Sequence, residues 1–215
     1  MSNSCFQTLF HAGPRLCPFN SNLNLEGNSI LHKMIIQIKQ TDSNDLKDIL
    51  TVEERAFGYT KEAELTAALL KDKTAEPTLS LLAFDEDKAV GHILFTRVYI
   101  NEMTINQRLL HILAPLAVIP EYQKRGVGGL LIKDGLRRLR SMGSEMVFVL
   151  GHKEYYPKFG FVPDAKKIGY SAPYAIPEEH KNAWMVQSLN PTGFSTNHGK
   201  IICADELNKP EHWRE

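Results

Sequence analysis

The segment Leu113–Leu130 constrains the fold and the chemistry of this chain more than any other stretch. An apolar run ending at Val118 is followed by a short turn, two basic residues and three glycines that open a helix. Glycine has no Cβ and lets a backbone approach a ligand closely, and the first amides of a helix have no partner within it and lie at its positive end. The segment therefore predicts that a diphosphate binds at Gln123 to Gly129.

Two well-known phosphate loops do not match this segment. A Walker loop needs Gly-Lys-Ser/Thr at the helix start, whereas this helix opens with Gly126-Val127-Gly128-Gly129-Leu130. A dinucleotide fingerprint needs a third glycine, and Leu131 occupies that position. The pattern Gln-x-x-Gly-x-Gly, from Gln123 to Gly128, resembles the acetyl-coenzyme A loop of the GCN5-related N-acetyltransferase (GNAT) family.

A second motif supports the same resemblance. The segment Tyr155–Phe161 is similar to the Tyr-x-Lys-x-Gly-Phe element of the family, and the two motifs occur in the family's order. The resemblance covers about residues 34–162. The segments Gly151–Pro157 and Pro210–Glu215 look like the YhbS-like branch of that family.

The resemblance implies an α+β fold with a GNAT-like mixed, mainly antiparallel sheet, flanking helices and a splayed pair of parallel strands. Hydrophobic periodicity and turn residues predict the elements. Pro115 cannot donate a ladder hydrogen bond, so it predicts a bulge or a place where its strand leaves a neighbour. The predicted strands are Met34–Lys39, Thr78–Phe84, Ala89–Ile100, Leu109–Val118, Glu145–Leu150, Trp184–Leu189 and Lys200–Ala204, and the predicted helices run from a cap at Thr41 or Ser43 to Gly58, from Thr60, from Gly126 to Met142 and from Lys153 to Phe159.

The helix that follows the glycines has one internal glycine. Val127, Leu130, Leu131 and Leu139 are expected on its inner face. Gly135 costs about 1 kcal/mol relative to alanine at such a position, and close packing on the sheet would account for it.

Length and composition favour one domain with a full core. The chain has 215 residues, of which 43% are hydrophobic and 23% charged. Residues 34–215 are interpreted as the N-acetyltransferase domain. Residues 1–33 are rich in Ser and Asn, and a flexible N-terminal extension, or a working start at Met34, is favoured over a transit peptide.

Charge and cysteine usage exclude several classes of partner. The formal net charge is zero, so neither nucleic acid nor an anionic membrane is an expected partner. No apolar run approaches the roughly 20 residues that cross a bilayer. Cys5, Cys17 and Cys203 form no C-x-x-C pair, so neither a zinc site nor a disulfide framework is expected. Unpaired cysteines favour a reducing compartment, the cytoplasm. Apart from His111 and His152, which are considered below, the histidines show no ligand spacing, so no metal is expected.

The resemblance implies a site for acetyl-coenzyme A (acetyl-CoA). The diphosphate would contact backbone amides from Arg125 to Gly129, and the pantetheine amides would pair with a strand edge. Tyr156 aligns with the family's general acid, with a packed aromatic as the alternative interpretation. The predicted acetyl-CoA-binding residues are Leu116, Ala117, Val118, Gln123, Lys124, Arg125, Gly126, Val127, Gly128 and Gly129.

The base and the acceptor stay open at this level. Base candidates are His111, Glu102 and Glu121, each of which also fits a surface group, and His152 is a candidate for a polar role toward the carbonyl. In the family, the region of the first two helices shapes the acceptor pocket. The residues there that could contact the acceptor are Phe57, Tyr59 and Glu62.

The predicted activity is direct transfer of an acetyl group from acetyl-CoA to a primary amine. A covalent acyl-enzyme is not expected, because no activated Cys or Ser is apparent. A small-molecule amine, a protein N-terminus or a lysine would each fit, and a homodimer is left open. The alternatives are an acyl-CoA-binding regulatory module with little turnover and a nucleotide-binding protein.

Overall fold

One mixed sheet with three helices carries the site. A computed structural model describes residues 34–101, 108–194 and 198–213. The helices are α1 (Leu46–Phe57), α2 (Lys61–Leu69) and α3 (Val127–Ser141). The strands are β1 (Ile36–Gln40), β2 (Leu79–Asp85), β3 (Lys88–Ile100), β4 (Leu110–Val118), β5 (Met146–Leu150), β6 (Val162–Pro163), β7 (Tyr170–Ser171), β8 (Trp184–Ser188) and β9 (Gly199–Cys203).

The strand order is β1-β2-β3-β4-β5-β8-β6, and β9 pairs with the far end of β3. The pair β4–β5 is parallel, as is the short pair β7–β9, and the other pairs are antiparallel. A mixed, mainly antiparallel sheet with flanking helices is thus confirmed. The helix α3 connects β4 to β5, as a parallel pair requires.

The parallel pair separates at the predicted place. Its last register pair is Leu113 with Val149, although β4 continues to Val118. Pro115 lies just beyond that pair and has no N–H to donate. The register between β3 and β4 also shifts between Ile93 and Phe95. Both outcomes predicted from Pro115, a bulge and a departure from a neighbour, occur here.

Helices α1 and α3 lie on opposite faces of the sheet. A Cβ at Gly91 would lie 3.0 Å from Leu131 Cδ1 of α3. The next residue, His92, instead contacts Glu53 of α1 through its ring. Since successive strand residues point to opposite faces, the two helices cover different sides.

Close packing explains the internal glycine of α3. A Cβ at Gly135 would lie 2.4 Å from Cε2 of Phe95, whose ring is fully buried. The expected close packing against the sheet is therefore confirmed. The expectation for Leu130 was wrong, because this side chain is 44% exposed. The residues that face the core recur at Val127, Leu131 and Leu139, and Leu130 lies to the side of that line.

Two local predictions also need correction. The first helical turn is capped by Asp42, not by Thr41 or Ser43. Its carboxylate accepts from the Asn44 N–H at 2.8 Å, and the Asp45 carboxylate in turn accepts from the Asp42 N–H at 3.0 Å. The short helix expected over residues 153–159 is one 3-10 turn, Tyr156–Phe159.

In the described part of the chain, no helix has both the length and the apolar composition needed to cross a bilayer.

Candidate active site

The start of α3 has unpaired backbone donors next to an exposed turn. Its first helical hydrogen bond runs from the Leu130 N–H to the Gly126 carbonyl at 3.0 Å. The N–H groups of Val127, Gly128 and Gly129 precede that bond and have no acceptor in the helix. Among the described residues, no side chain caps this end. Residues 123–126 are exposed, whereas Val127 and Gly128 are buried, so an anion would approach these donors from the side of the turn.

The three glycines of the turn serve different purposes. Gly126 has φ +89°, a left-handed conformation, and a Cβ there would meet nothing within 4 Å. A Cβ at Gly128 would lie 2.7 Å from Tyr155 Oη, and one at Gly129 would lie 3.2 Å from the Phe159 ring. The second and third glycines therefore make room for the chain's own aromatic side chains, which come from the second motif. The space beside the α-carbon is open at Gly126, whereas aromatic side chains fill it at Gly128 and Gly129.

The second half of β4 has one open edge. Leu116, Ala117 and Val118 pair with β3 on one side. On the other side, pairing with β5 stops at Leu113, and no other strand of the described residues takes its place. The backbone groups on that side can therefore pair with an extended molecule.

Polar side chains hold the turn against the strand end. Gln123 Nε2 donates to the Val118 carbonyl at 3.0 Å, so this side chain fixes the turn instead of reaching outward. The guanidinium of Arg125 lies over the Tyr122 ring, 5.6 Å from its centroid. Lys124 is exposed and adopts a left-handed φ of +59°. The turn therefore carries two cations beside the free amides.

The aromatic motif packs against the end of β5. The Tyr156 ring covers Gly151, where a Cβ would lie 2.4 Å from its Cε2. Tyr156 is 6% exposed, and burial raises its pKa above the usual range for a phenol. The Tyr155 ring lies edge-on to it at 5.3 Å and is half-buried, and burial raises the pKa of Tyr155 as well. Both phenols therefore keep their protons at neutral pH.

A cavity lies where β4 and β5 separate. It contains about 490 Å³ of empty space, its open mouth included. Walls come from the strand ends, the C-terminal end of α1, α2 and the segment after β9. The lining residues are Phe57, Glu62, Leu65, Ile112, Leu113, Ala114, Pro115, Leu150, Leu207, His212 and Trp213.

This cavity contains two of the three predicted acceptor contacts. Phe57 and Glu62 line it. Tyr59 is 39% exposed and is not among the lining residues, and its ring lies 6.5 Å from that of Phe57.

The candidates for the general base differ in their surroundings. His111, expected at the surface, is fully buried, and burial lowers its pKa to about 4. Both of its ring nitrogens have partners, Ser144 Oγ at 2.8 Å and the Pro77 carbonyl at 3.1 Å. Its geometry therefore suits a structural role. Glu121 is exposed and forms an ion pair with Arg55 at 2.6 Å.

The remaining polar candidates have no shared arrangement. Glu102 lies outside the described residues. His152 is half-buried and accepts a hydrogen bond at its Nδ1 from the Glu154 N–H at 3.3 Å. No group of three or more His, Cys, Asp or Glu side chains within residues 34–101, 108–194 and 198–213 is placed to hold a metal ion.

Sequence reasoning missed the C-terminal wall of the cavity. Leu207, His212 and Trp213 follow the last strand. The segment Pro210–Glu215 resembles the YhbS-like branch, but that resemblance did not place it at the acceptor. Sequence reasoning also missed a buried polar chain beneath α1. Ser80 Oγ lies 3.0 Å from His92 Nε2, and His92 Nδ1 lies 2.5 Å from Glu53 Oε1. All three are buried, so this chain fastens α1 to the sheet.

The sequence matches one protein family over most of the sheet and helices described above. A profile described as "Acetyltransferase (GNAT) domain" matches residues 37–163. YjhQ of Escherichia coli (strain K12), an uncharacterized N-acetyltransferase, is 59% identical over 166 residues, which cover 77% of this chain and 90% of YjhQ. YhbS of the same strain is 32% identical over 108 residues, 50% of this chain and 62% of YhbS.

Solved structures share the fold. The crystal structure of E. coli YhbS in complex with CoA superposes with a TM-score of 0.71 at 25% identity, and covers 81% of this chain and 92% of YhbS. A GNAT family acetyltransferase from Brucella melitensis in complex with acetyl-CoA gives a TM-score of 0.63 at 27% identity, over 81% of this chain and 99% of that protein.

Proposed function

Since this chain belongs to the GNAT family, we propose that it transfers the acetyl group of acetyl-CoA to a primary amine by direct attack. The family assignment makes the chain an N-acetyltransferase, and its structural neighbours bind CoA and acetyl-CoA. The acceptor is a small-molecule or protein amine, and the reaction takes place in the cytoplasm. The free, buried thiol of Cys203 is consistent with a reducing compartment.

One observation carries the proposal: an uncapped helix start, preceded by an exposed turn, lies beside an open strand edge. The N–H groups of Val127 to Gly129 and the cations of Lys124 and Arg125 would hold the diphosphate of acetyl-CoA. The open edge of Leu116 to Val118, where Gln123 Nε2 already donates to the Val118 carbonyl, would pair with the amides of the pantetheine arm. Apart from the two cations, these contacts use backbone donors and acceptors, so the fit depends on chain shape more than on side-chain identity.

Residues near the end of β5 would assist the transfer step itself. Acetyl-CoA supplies a thioester whose carbonyl carbon accepts the amine and whose thiolate leaves. Tyr156 would give that thiolate a proton, because burial keeps the phenol protonated. Tyr155 would act differently, since its hydroxyl packs against Gly128 at the helix start.

Gly126→Glu tests the proposed diphosphate-binding site. The added carboxylate would extend into open space beside the donors and repel the phosphates, so CoA affinity should fall by about a hundredfold or more. Isothermal titration with CoA measures this. Gly143→Glu is a matched control, because Gly143 has a similar φ of +86°, is equally open and lies at the other end of α3.

The control should keep near-native CoA affinity with a comparable loss of stability. Gly126→Asn serves as a second control, since Asn tolerates a left-handed φ and adds no charge. Unchanged affinity in Gly126→Glu would contradict the assignment of this turn. Free-thiol release from acetyl-CoA over a panel of amines then tests turnover. A protein that binds acetyl-CoA and acetylates no amine would instead be a binding module.

Tyr156→Phe tests the acid. Turnover should fall by about tenfold or more, with little change in CoA affinity, because only the proton donor is lost. Tyr155→Phe is the paired control and should alter CoA affinity more than turnover. Equal turnover in wild type and Tyr156→Phe would remove the acid role.

A further inference from the structure

The cavity where β4 and β5 separate is lined almost entirely by apolar side chains. Apart from Glu62 and His212, every lining side chain is apolar. Leu113 and Leu150 place it at the separating ends of β4 and β5, on the proposed path of the thioester. An acceptor for the proposed reaction would have to reach the acetyl group through such a space.

Glu62 gives the cavity a buried acidic group. It is 3% exposed and lies in the first turn of α2. Burial raises the pKa of the neighbouring Glu53, and proximity to Glu62 adds to that rise, so the two carboxyl groups lie near each other. A carboxylate in an apolar wall attracts a cation far more strongly than one in water.

His212 adds a neutral polar group to the same cavity. Its Nδ1 atom is buried and has no hydrogen-bond partner among the residues that the structure describes. Burial lowers the pKa of His212, so the imidazole is uncharged near neutral pH and does not repel a cation. A buried nitrogen without a partner is costly, which points to a ligand group that bonds to it.

We propose that the acceptor is a small monoamine with an apolar body, and that Glu62 receives its ammonium group in this cavity. This inference rests on the proposed function. The apolar walls favour a hydrocarbon or aromatic body. A peptide or polyamine would instead bring amides or extra charges that these walls cannot satisfy.

The same carboxylate completes the proton balance of the reaction. Glu62 takes one proton from the ammonium, which frees the nitrogen lone pair. The N–C bond forms as the C–S bond breaks, and Tyr156 gives its proton to the thiolate. The second proton of the amine then restores the phenol. The products are the amide, the free thiol and one proton, which leaves Glu62 for solvent.

The segment after β9 sets the depth of this cavity. Trp213 donates from its indole N–H to the Leu207 carbonyl at 2.8 Å and lies edge-on to Trp184 at 5.8 Å. These contacts fix one wall. The wall lies beyond residues 37–163, the region matched by the family profile, so acceptor choice would depend on residues outside the family's shared region.

Glu62→Gln tests the inference, with Glu64→Gln as the matched control. Glu64 lies in the same helix and is exposed. Free-thiol release from acetyl-CoA is measured with hexylamine and phenethylamine, against spermidine and a lysine peptide. Wild type should prefer the two monoamines. Glu62→Gln should lower kcat/KM for them by about a hundredfold and leave the Kd for CoA within about twofold, whereas the control should match wild type.

A second pair of variants guards against a folding defect. Glu62→Asp keeps the charge and should retain more activity than Glu62→Gln. Leu207→Ala deepens the cavity and should shift the preference toward longer monoamines. CoA affinity reports whether each variant has folded.

Three results overturn different claims. If wild type binds acetyl-CoA and acetylates no amine, the proposed function fails. If it acetylates only spermidine or the peptide, the proposed function stands and the monoamine assignment fails. If it acetylates monoamines and Glu62→Gln equals wild type, the role of Glu62 fails.

Discussion

The buried imidazole of His111 should make the stability of this protein fall as the pH is lowered. His111 lies in β4 with no exposed surface. Its Nε2 faces the Pro77 carbonyl, so the neutral ring donates there and accepts at Nδ1 from the Ser144 hydroxyl. Burial lowers the pKa of His111 from 6.5 to about 4. The folded state therefore binds fewer protons than the unfolded state between these two values.

The sign and size of the effect follow by linkage. The contribution of His111 is complete above the unfolded pKa of 6.5 and is lost as the pH falls through about 4. At about 1.4 kcal/mol per pKa unit, the whole shift corresponds to roughly 3 kcal/mol. Between about pH 7 and about pH 4.5, the loss should be about 2 kcal/mol in the free energy of unfolding.

His111→Gln isolates this contribution. The glutamine amide can still donate a hydrogen bond but has no proton to gain. Urea denaturation of both proteins over the same pH series gives two curves of unfolding free energy. All other titrating groups are common to both proteins and cancel in the difference. The variant should be less stable near pH 7, and its deficit should shrink by about 2 kcal/mol toward pH 4.5. A deficit that stays constant across the series would refute this reasoning.

Three further outcomes can be measured. Gly135→Ala should lower the free energy of unfolding by about 1 kcal/mol or more, because overpacking against the buried Phe95 ring outweighs the gain in helix propensity; urea denaturation measures it. Gly128→Ala should weaken CoA binding in isothermal titration, because the new Cβ would displace the Tyr155 hydroxyl, and adding Tyr155→Phe should restore part of the affinity. A chain without residues 1–33 should fold and bind CoA like the full chain, as judged by circular dichroism and titration; loss of either would contradict the domain assignment.

The sequence alone determined the elements that depend on local pattern. The strand, glycine turn and helix around Gly126 could be predicted because φ preference and hydrophobic period are properties of neighbouring residues. The separation of the parallel strands was predictable from Pro115, since a missing N–H is local. The assignment of both motifs to one family was predictable from their order in the chain and from their resemblance to the family's motifs. All three predictions agree with the structure.

Tertiary structure decided what each residue contacts. Gly128 and Gly129 were expected to let a ligand approach the backbone, and the chain returns some thirty residues later to place Tyr155 and Phe159 where their side chains would be. His111 was expected at the surface, yet strand pairing buries it. The cavity wall at Trp213 is assembled from a segment that no local signal connects to β4. Such contacts join residues distant in sequence, so their burial, and hence their pKa and chemistry, exists only in the folded chain.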